Sequence, residues 1–235
     1  MANTQTSVPA FTAGQVLTAQ QQTEINTGIP VFATTTTRDA AFGGTGEKTL
    51  AEGQFAYIEA SNTTQYYDGA AWQTVGGGLT LIKAQTIGSA VSSVTVSDVF
   101  SATYDSYRII VSGGGAASAG IVSRFTLGAS ATSYVGSGVE ISNTGSAGGF
   151  TMGTTYLGYV TSATTNNHNG VIDLLDPYLT QRTTVIASTY AISSGYARIM
   201  VGYHDSATSF TAFTLTASSG TFTGGTIRVY GYQNS

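Results

Sequence analysis

The chain has 235 residues and a net charge of −4, and charged residues make up only 9% of it while hydrophobic residues make up 41%. This composition is the opposite of that of a disordered chain, so we expect a folded protein with room for one or two cores. The absence of cysteine excludes disulfides and thiolate metal sites, the lack of a basic cluster argues against a nucleic-acid partner, and the lack of a long apolar run argues against membrane insertion.

The first residues, 1–17, show no hydrophobic periodicity, and we expect them to form an extended arm. They also lack the basic start and apolar core of a signal peptide. Thr18 is a candidate helix N-cap, and Gln21 completes a capping box three residues later. The sequence therefore predicts a helix over 19–27, which is too short and too polar to be stable without packing against another element.

Residues 54–78 read QFAYIEASNTTQYYDGAAWQTVGGG, which alternates aromatic and small side chains around two polar turns. The turns are predicted at 61–64 and at Asp68-Gly69, and Trp72 belongs to the third strand. Three short strands are close to the lower limit of independent stability, so we expect the helix or neighbouring chains to cover one face. The three glycines at 76–78 are expected to form a flexible joint.

From Leu79 onward, strand-like runs recur with turn residues between them and with no convincing helix. We predict a mostly β chain: a short N-terminal arm, one helix and a small β-hairpin module over 1–78, followed by an antiparallel jelly-roll-like β-sandwich over 79–235. Weaker strand signals lie at 150–160 and 170–175. The clear runs are 79–87, 93–100, 106–113, 121–128, 183–192, 197–204, 210–217 and 226–233.

Few residues offer catalytic or metal-binding chemistry. Asp173 and Asp176 could be compared with a paired-acid site, but their spacing directs them to opposite faces of a strand. His168 and His204 adjoin predicted strand ends, where a solvated turn histidine is the ordinary case. We therefore predict a protein that is not an enzyme, with no catalytic residues, no metal site and no cofactor.

Tyrosines are numerous, and many lie at strand ends or between strands. Aromatic rings with polar tips are favoured in recognition surfaces, including those that stack on sugars. The alternative is that each ring packs over a sheet edge. The candidates for contact with a partner at such a surface, referred to below as receptor contacts, are Tyr134, Tyr156, Tyr159, His168 and Tyr178.

Three phrases, FTAGQVLTAQQQTEIN, VFATTTTRDAAF and GQFAYIEASNTTQYYDGAAWQTVGG, follow one another within residues 11–78. In this order they closely resemble the N-terminal module of tailed-bacteriophage minor tail and tail-fibre proteins. The ending FTLTASSGTFTGGTIRVYGYQ resembles the final strands of distal fibre domains of such phages. The chain lacks coiled-coil heptads and a repeat shaft, which fits a short appendage better than a long rod.

The resemblance implies a homotrimeric virion protein, made in the host cytoplasm, whose residues 1–78 dock onto other virion proteins. Residues 79–235 would bind a host cell-surface glycan or protein. Two alternatives are a capsid or baseplate decoration protein without a receptor and a polysaccharide depolymerase. The anchoring residues implied for the first module are Phe11, Leu17, Tyr67 and Trp72.

Overall fold

The structure is a computed structural model, and it describes residues 8, 10–19, 21–22, 28–45, 47–76 and 78–233. The chain divides into two compact units, 1–77 and 78–235, and this boundary lies one residue before the predicted one. The single helix with defined bounds in the described part is α1 (Thr35–Asp39). The described strands are β1 (Val31–Phe32), β2 (Phe55–Ile58), β3 (Thr63–Tyr67), β4 (Trp72–Thr74), β5 (Leu79–Thr86), β6 (Ser93–Val96), β7 (Ser106–Ser112), β8 (Gly115–Ala116), β9 (Ile121–Leu127), β10 (Tyr134–Ser142), β11 (Ala147–Thr151), β12 (Ser162–Thr164), β13 (Asn167–Leu175), β14 (Thr183–Ala191), β15 (Tyr196–His204), β16 (Phe213–Ala217), β17 (Phe222–Thr223) and β18 (Thr226–Tyr232).

The first unit contains a four-stranded sheet in the order β1-β2-β3-β4. The hairpin strands β2, β3 and β4 pair antiparallel, as predicted, whereas β1 adds to β2 in a parallel register that the sequence did not reveal. The alternation FAYI places one set of side chains inward, because Ala56 and Ile58 are buried while Phe55 is exposed. The core of this unit is small. Its buried hydrophobic residues are Phe32, Ala41, Ala56 and Ile58.

Arg38 on α1 is the buried cation of the first unit. Its guanidinium lies 4.5 Å from the centre of the Trp72 ring, donates to Asp39 at 2.6 and 2.8 Å, and also bonds the side-chain oxygen of Gln65. A buried charge is tolerated only when it is paired in this way. Arg38 thereby links the short helix to β3 and β4.

The predicted helix over 19–27 is only partly described, since residues 20 and 23–27 lie outside the described residues. The predicted capping box is present: the Gln21 N–H donates to Thr18 Oγ1 at 3.2 Å, and the Thr18 N–H donates to Gln21 Oε1 at 3.0 Å. Of the predicted arm, residues 1–7 and 9 lie outside the described residues. Val8 is tied to the small core, because its N–H donates to the Ala41 carbonyl at 3.0 Å.

The second unit is an antiparallel β-sandwich. One layer contains eight strands in the order β5-β18-β7-β13-β14-β15-β10-β11, and the short strand β12 continues the hydrogen bonding from β13 to the second layer, β9-β16-β6. All three residues of β12 are buried. The two layers share one hydrophobic core, and aromatic rings of Phe100, Phe125 and Phe213 stack within it.

The prediction of a mostly β chain with an antiparallel sandwich is confirmed, and each of the eight clear runs contains a strand. The nine-residue strand β10 was missed, because its sequence YVGSGVEIS has two glycines and a glutamate, which are depleted in strands. The glycines have a packing reason: a Cβ on Gly138 would clash with the Phe150 ring. No helix in the described part of the chain is long and apolar enough to cross a membrane.

Candidate functional site

Tyr134, a predicted receptor contact, is fully buried. Its hydroxyl accepts from the Leu127 N–H at 2.7 Å and donates to the Ser130 carbonyl at 3.2 Å, while its ring packs edge-on against His204. The side chain therefore closes the core at the start of β10 and is not available to a receptor. This corrects the expectation drawn from the sequence, in which the strand itself was not recognised.

His168 is also fully buried, which corrects the second of the receptor-contact expectations. The polar run NNHNG looks like a turn, but it opens β13 and directs every second side chain into the core. The Nε2 atom of His168 shares a hydrogen bond of 2.8 Å with Thr161 Oγ1, and the ring stacks 4.6 Å from that of Phe222. Burial lowers the pKa of His168 to about 4, so the ring is neutral near pH 7.

Tyr156 and Tyr159 are half-buried, and an arginine of the same chain covers a face of each ring. Arg124 lies 4.8 Å from the centre of the Tyr156 ring, and Arg198 lies 5.0 Å from that of Tyr159. The Phe150 ring also packs against Tyr159, with ring centres 4.8 Å apart. These contacts use ring surface that a sugar would need for stacking, so both tyrosines contribute first to the stability of the sandwich.

Tyr178 lies in the loop between β13 and β14, half-buried against the core. The same loop and the one that follows β15 form the walls of a cleft of about 480 Å³. This loop-lined cleft, the "Arg182 cleft", is open to solvent, and Tyr178 lies two residues before its first lining residue. The lining residues are Thr180, Gln181, Arg182, Asp205 and Ala207.

Backbone hydrogen bonds join the loop after β15 to two neighbouring loops. The Asp205 N–H donates to the Ser133 carbonyl at 2.7 Å, and the Phe210 N–H donates to the Pro177 carbonyl at 2.8 Å. Loops held in this manner on a rigid sheet are common positions for binding residues. The two loops that form the cleft are therefore linked directly by a backbone hydrogen bond.

An ion pair crosses the Arg182 cleft. The Nε atom of Arg182 lies 2.6 Å from Asp205 Oδ1, and the two side chains remain 69% and 46% exposed. A guanidinium carries five N–H donors and a carboxylate can accept several bonds, so one shared contact leaves capacity on both groups. Together with the amide of Gln181 and the hydroxyl of Thr180, the cleft offers donors and acceptors suited to a polar, hydroxyl-bearing ligand.

Asp173 is engaged in a structural ion pair. Arg108 donates to its two oxygens at 2.7 Å each, and the Tyr232 hydroxyl donates to Oδ1 at 3.0 Å. Burial opposes ionisation, but these bonds outweigh it and hold the pKa of Asp173 below its usual value. Asp176 lies in a turn with a φ of 60°, where its N–H donates to the Asp105 carbonyl at 2.8 Å.

His204 lies beside Ser130 and Asp205, as it would in a hydrolase triad, but its hydrogen bonds do not fit that chemistry. The Ser206 N–H donates to His204 Nδ1 at 3.3 Å, where a triad histidine would donate to a carboxylate, and Nε2 lies 2.7 Å from Ser130 Oγ. Asp205 is directed to Arg182 instead, and His204 is buried.

Across the described residues, no group of three or more His, Asp or Glu side chains is arranged to hold a metal ion.

The predicted anchoring residues of the first unit differ in their exposure. Phe11 is exposed and Leu17 is half-buried, whereas Tyr67 and Trp72 pack against each other with ring centres 5.6 Å apart. Trp72 also packs against the small core. Its first role is therefore within the unit.

Sequence reasoning missed two features. The Arg182 cleft has no local signal, because its walls are 23 residues apart in the sequence, from Arg182 to Asp205, and meet only in the fold. The second feature is the exposed aromatic pair Phe55 and Tyr66, whose ring centres lie 6.3 Å apart. The strand alternation predicts this pair once it is known that Ala56 and Ile58 are the buried residues of β2.

Comparison of the chain with protein-family models, with curated proteins and with solved structures found no match in any of the three.

Proposed function

We propose that this chain is a short tail fibre or minor tail protein of a tailed bacteriophage. Residues 1–78 anchor it to other virion proteins in a homotrimer, and residues 79–235 bind a glycan or protein on the host surface. The ordered phrases of the first module and the ending of the last strands support the phage assignment. The observation that carries receptor binding is the Arg182 cleft, an open concave surface that two loops of the sandwich form from both polar and apolar atoms.

The chemistry of the Arg182 cleft fits a saccharide. Sugar hydroxyls need matched donors and acceptors, which Gln181, Arg182 and Asp205 supply within one concave surface. An open cleft of this kind binds each ligand weakly. Several copies on one particle would raise the overall attachment through effective concentration.

The test is binding of fluorescently labelled full-length protein to cells on which the phage grows. We expect Gln181→Ala and Arg182→Ala each to reduce cell binding at least about tenfold, because each removes hydrogen bonds to a partly desolvated ligand. Arg228→Ala is the matched control, since this arginine lies on β18 outside the cleft and bonds Ser112 at 3.0 Å. Absence of binding by the wild-type protein, or equal binding by all variants, contradicts the proposal.

A further inference from the structure

One face of the sandwich carries an apolar surface that nothing in the second unit covers. The strands β10, β15 and β14 are adjacent, and their register aligns the outward side chains in four rows of three. We call these positions the outer patch. Row by row they are Val135 with Tyr203 and Thr184, Ser137 with Val201 and Ile186, Val139 with Ile199 and Ser188, and Ile141 with Ala197 and Tyr190.

The outer patch is uncharged and exposed. Eight of its side chains are large, apolar or aromatic, and between 36% and 54% of each is accessible to solvent. The charged side chains on these strands face the other way, where Glu140 and Arg198 pair at 2.8 Å. The nearest charge in register is Asp173, opposite Ile186 on β14, and Arg108 already neutralises it.

The size of the outer patch is that of a subunit interface. With surfaces of about 150–250 Å² for a fully exposed large residue, eight side chains exposed by nearly half give roughly 650 Å². This value is at or above the largest apolar patch of an ordinary monomer, and it approaches the roughly 800 Å² that each partner contributes to a stable complex.

We propose that the outer patches of neighbouring copies of this chain cover one another in solution. Rows of β-branched side chains on one sheet interdigitate with those of another sheet at a spacing of about 10 Å. A surface without charge gives no electrostatic preference for a different partner, whereas a copy of the chain always offers a matching neutral surface of the same area. The inference rests on the proposed function only for the expectation that copies associate, and it assigns that association to a face distinct from the Arg182 cleft.

The first test measures the molar mass of the full chain by light scattering at micromolar concentration. We expect the wild-type protein to be a multimer and Ile199→Lys to run at the 24.1 kDa of one chain, because a lysine cannot be buried unpaired in an apolar contact. Leu81→Lys is the control, since Leu81 on β5 is 52% exposed against 54% for Ile199 but lies outside the outer patch. A monomeric wild-type protein, or an Ile199→Lys variant of unchanged mass, overturns the proposal.

The second test does not depend on a disruptive substitution. The chain has no cysteine, so Ser188→Cys places a single thiol inside the outer patch and Ser93→Cys places one on β6, outside it. Both serines are exposed in the single chain. We expect a maleimide to label Ser188→Cys at least tenfold more slowly than Ser93→Cys; equal rates overturn the proposal.

These outcomes are separable from those of the cell-binding test. Monomeric Ile199→Lys keeps an intact Arg182 cleft, so binding of this labelled variant to cells on which the phage grows still reports on the cleft. Gln181→Ala leaves the outer patch intact, so the molar mass of this variant still reports whether copies of the chain associate. Failure of either measurement therefore leaves the other interpretable.

Discussion

At the scale of single residues, the sandwich uses its two histidines and its tyrosines mainly for internal structure. His168 and Tyr134 were predicted to face a receptor, yet both close the core. The error has one physical origin: in a strand, a shift of one residue exchanges the buried and exposed faces, and polar or glycine-containing strands give little indication of the phase. Because His168 is buried, the stability of the second unit depends on pH.

We expect acid to destabilise the second unit through His168. The folded pKa of about 4 lies below the unfolded value of 6.5, so between these pH values the unfolded chain takes up a proton that the folded chain does not. Stability is fully present above pH 6.5 and is lost as the pH falls toward 4, by about 3 kcal/mol in all. Urea denaturation of wild-type protein and His168→Gln at pH 7 and pH 4 measures this contribution.

Gln at position 168 retains a hydrogen-bonding side chain near Thr161 but does not titrate. The difference in unfolding free energy between the two proteins should therefore change by about 3 kcal/mol between the two pH values. Parallel pH dependence of the two proteins would show that His168 does not control acid stability.

At the scale of elements, the first unit depends on few side chains. Trp72 joins the aromatic rings of Phe42 and Tyr67 to the guanidinium of Arg38, with separations of 4.5 to 5.9 Å. Trp72 is half-buried, so we expect Trp72→Ala to cost up to about 3 kcal/mol, the lower end for aromatic residues of a core, which is a large loss for a unit with so small a core.

Limited proteolysis of the full chain measures this effect, because cleavage within residues 1–77 should accelerate while residues 78–235 remain resistant. Phe55→Ala is the matched control, since this exposed aromatic residue lies on the outer face of β2. Equal digestion of Trp72→Ala and wild-type protein would contradict the role given to Trp72.

The elements of the sandwich were largely predictable from the sequence, because alternating β-branched and aromatic side chains carry a strong local signal. Strand β10 and the parallel addition of β1 were not, since both depend on distant packing partners. Gly138 reads as a turn residue until Phe150 is seen to lie over it. The Arg182 cleft likewise exists only where two separated loops meet, so no local pattern could reveal it.

At the scale of the whole molecule, the proposed tasks lie on different surfaces. We propose that the first unit docks to the virion, that the Arg182 cleft binds the host and that the outer patch joins copies of the chain. The division is consistent with two compact units whose boundary falls in a glycine run. The central proposal is that the sandwich is the distal, host-facing part of a tail appendage.

Electron microscopy of purified virions with an antibody against residues 79–235 tests this claim most directly. We expect label at the tail tip, displaced outward from the tail tube. Label spread over the capsid would favour a decoration protein, and virions that carry no label would contradict the account.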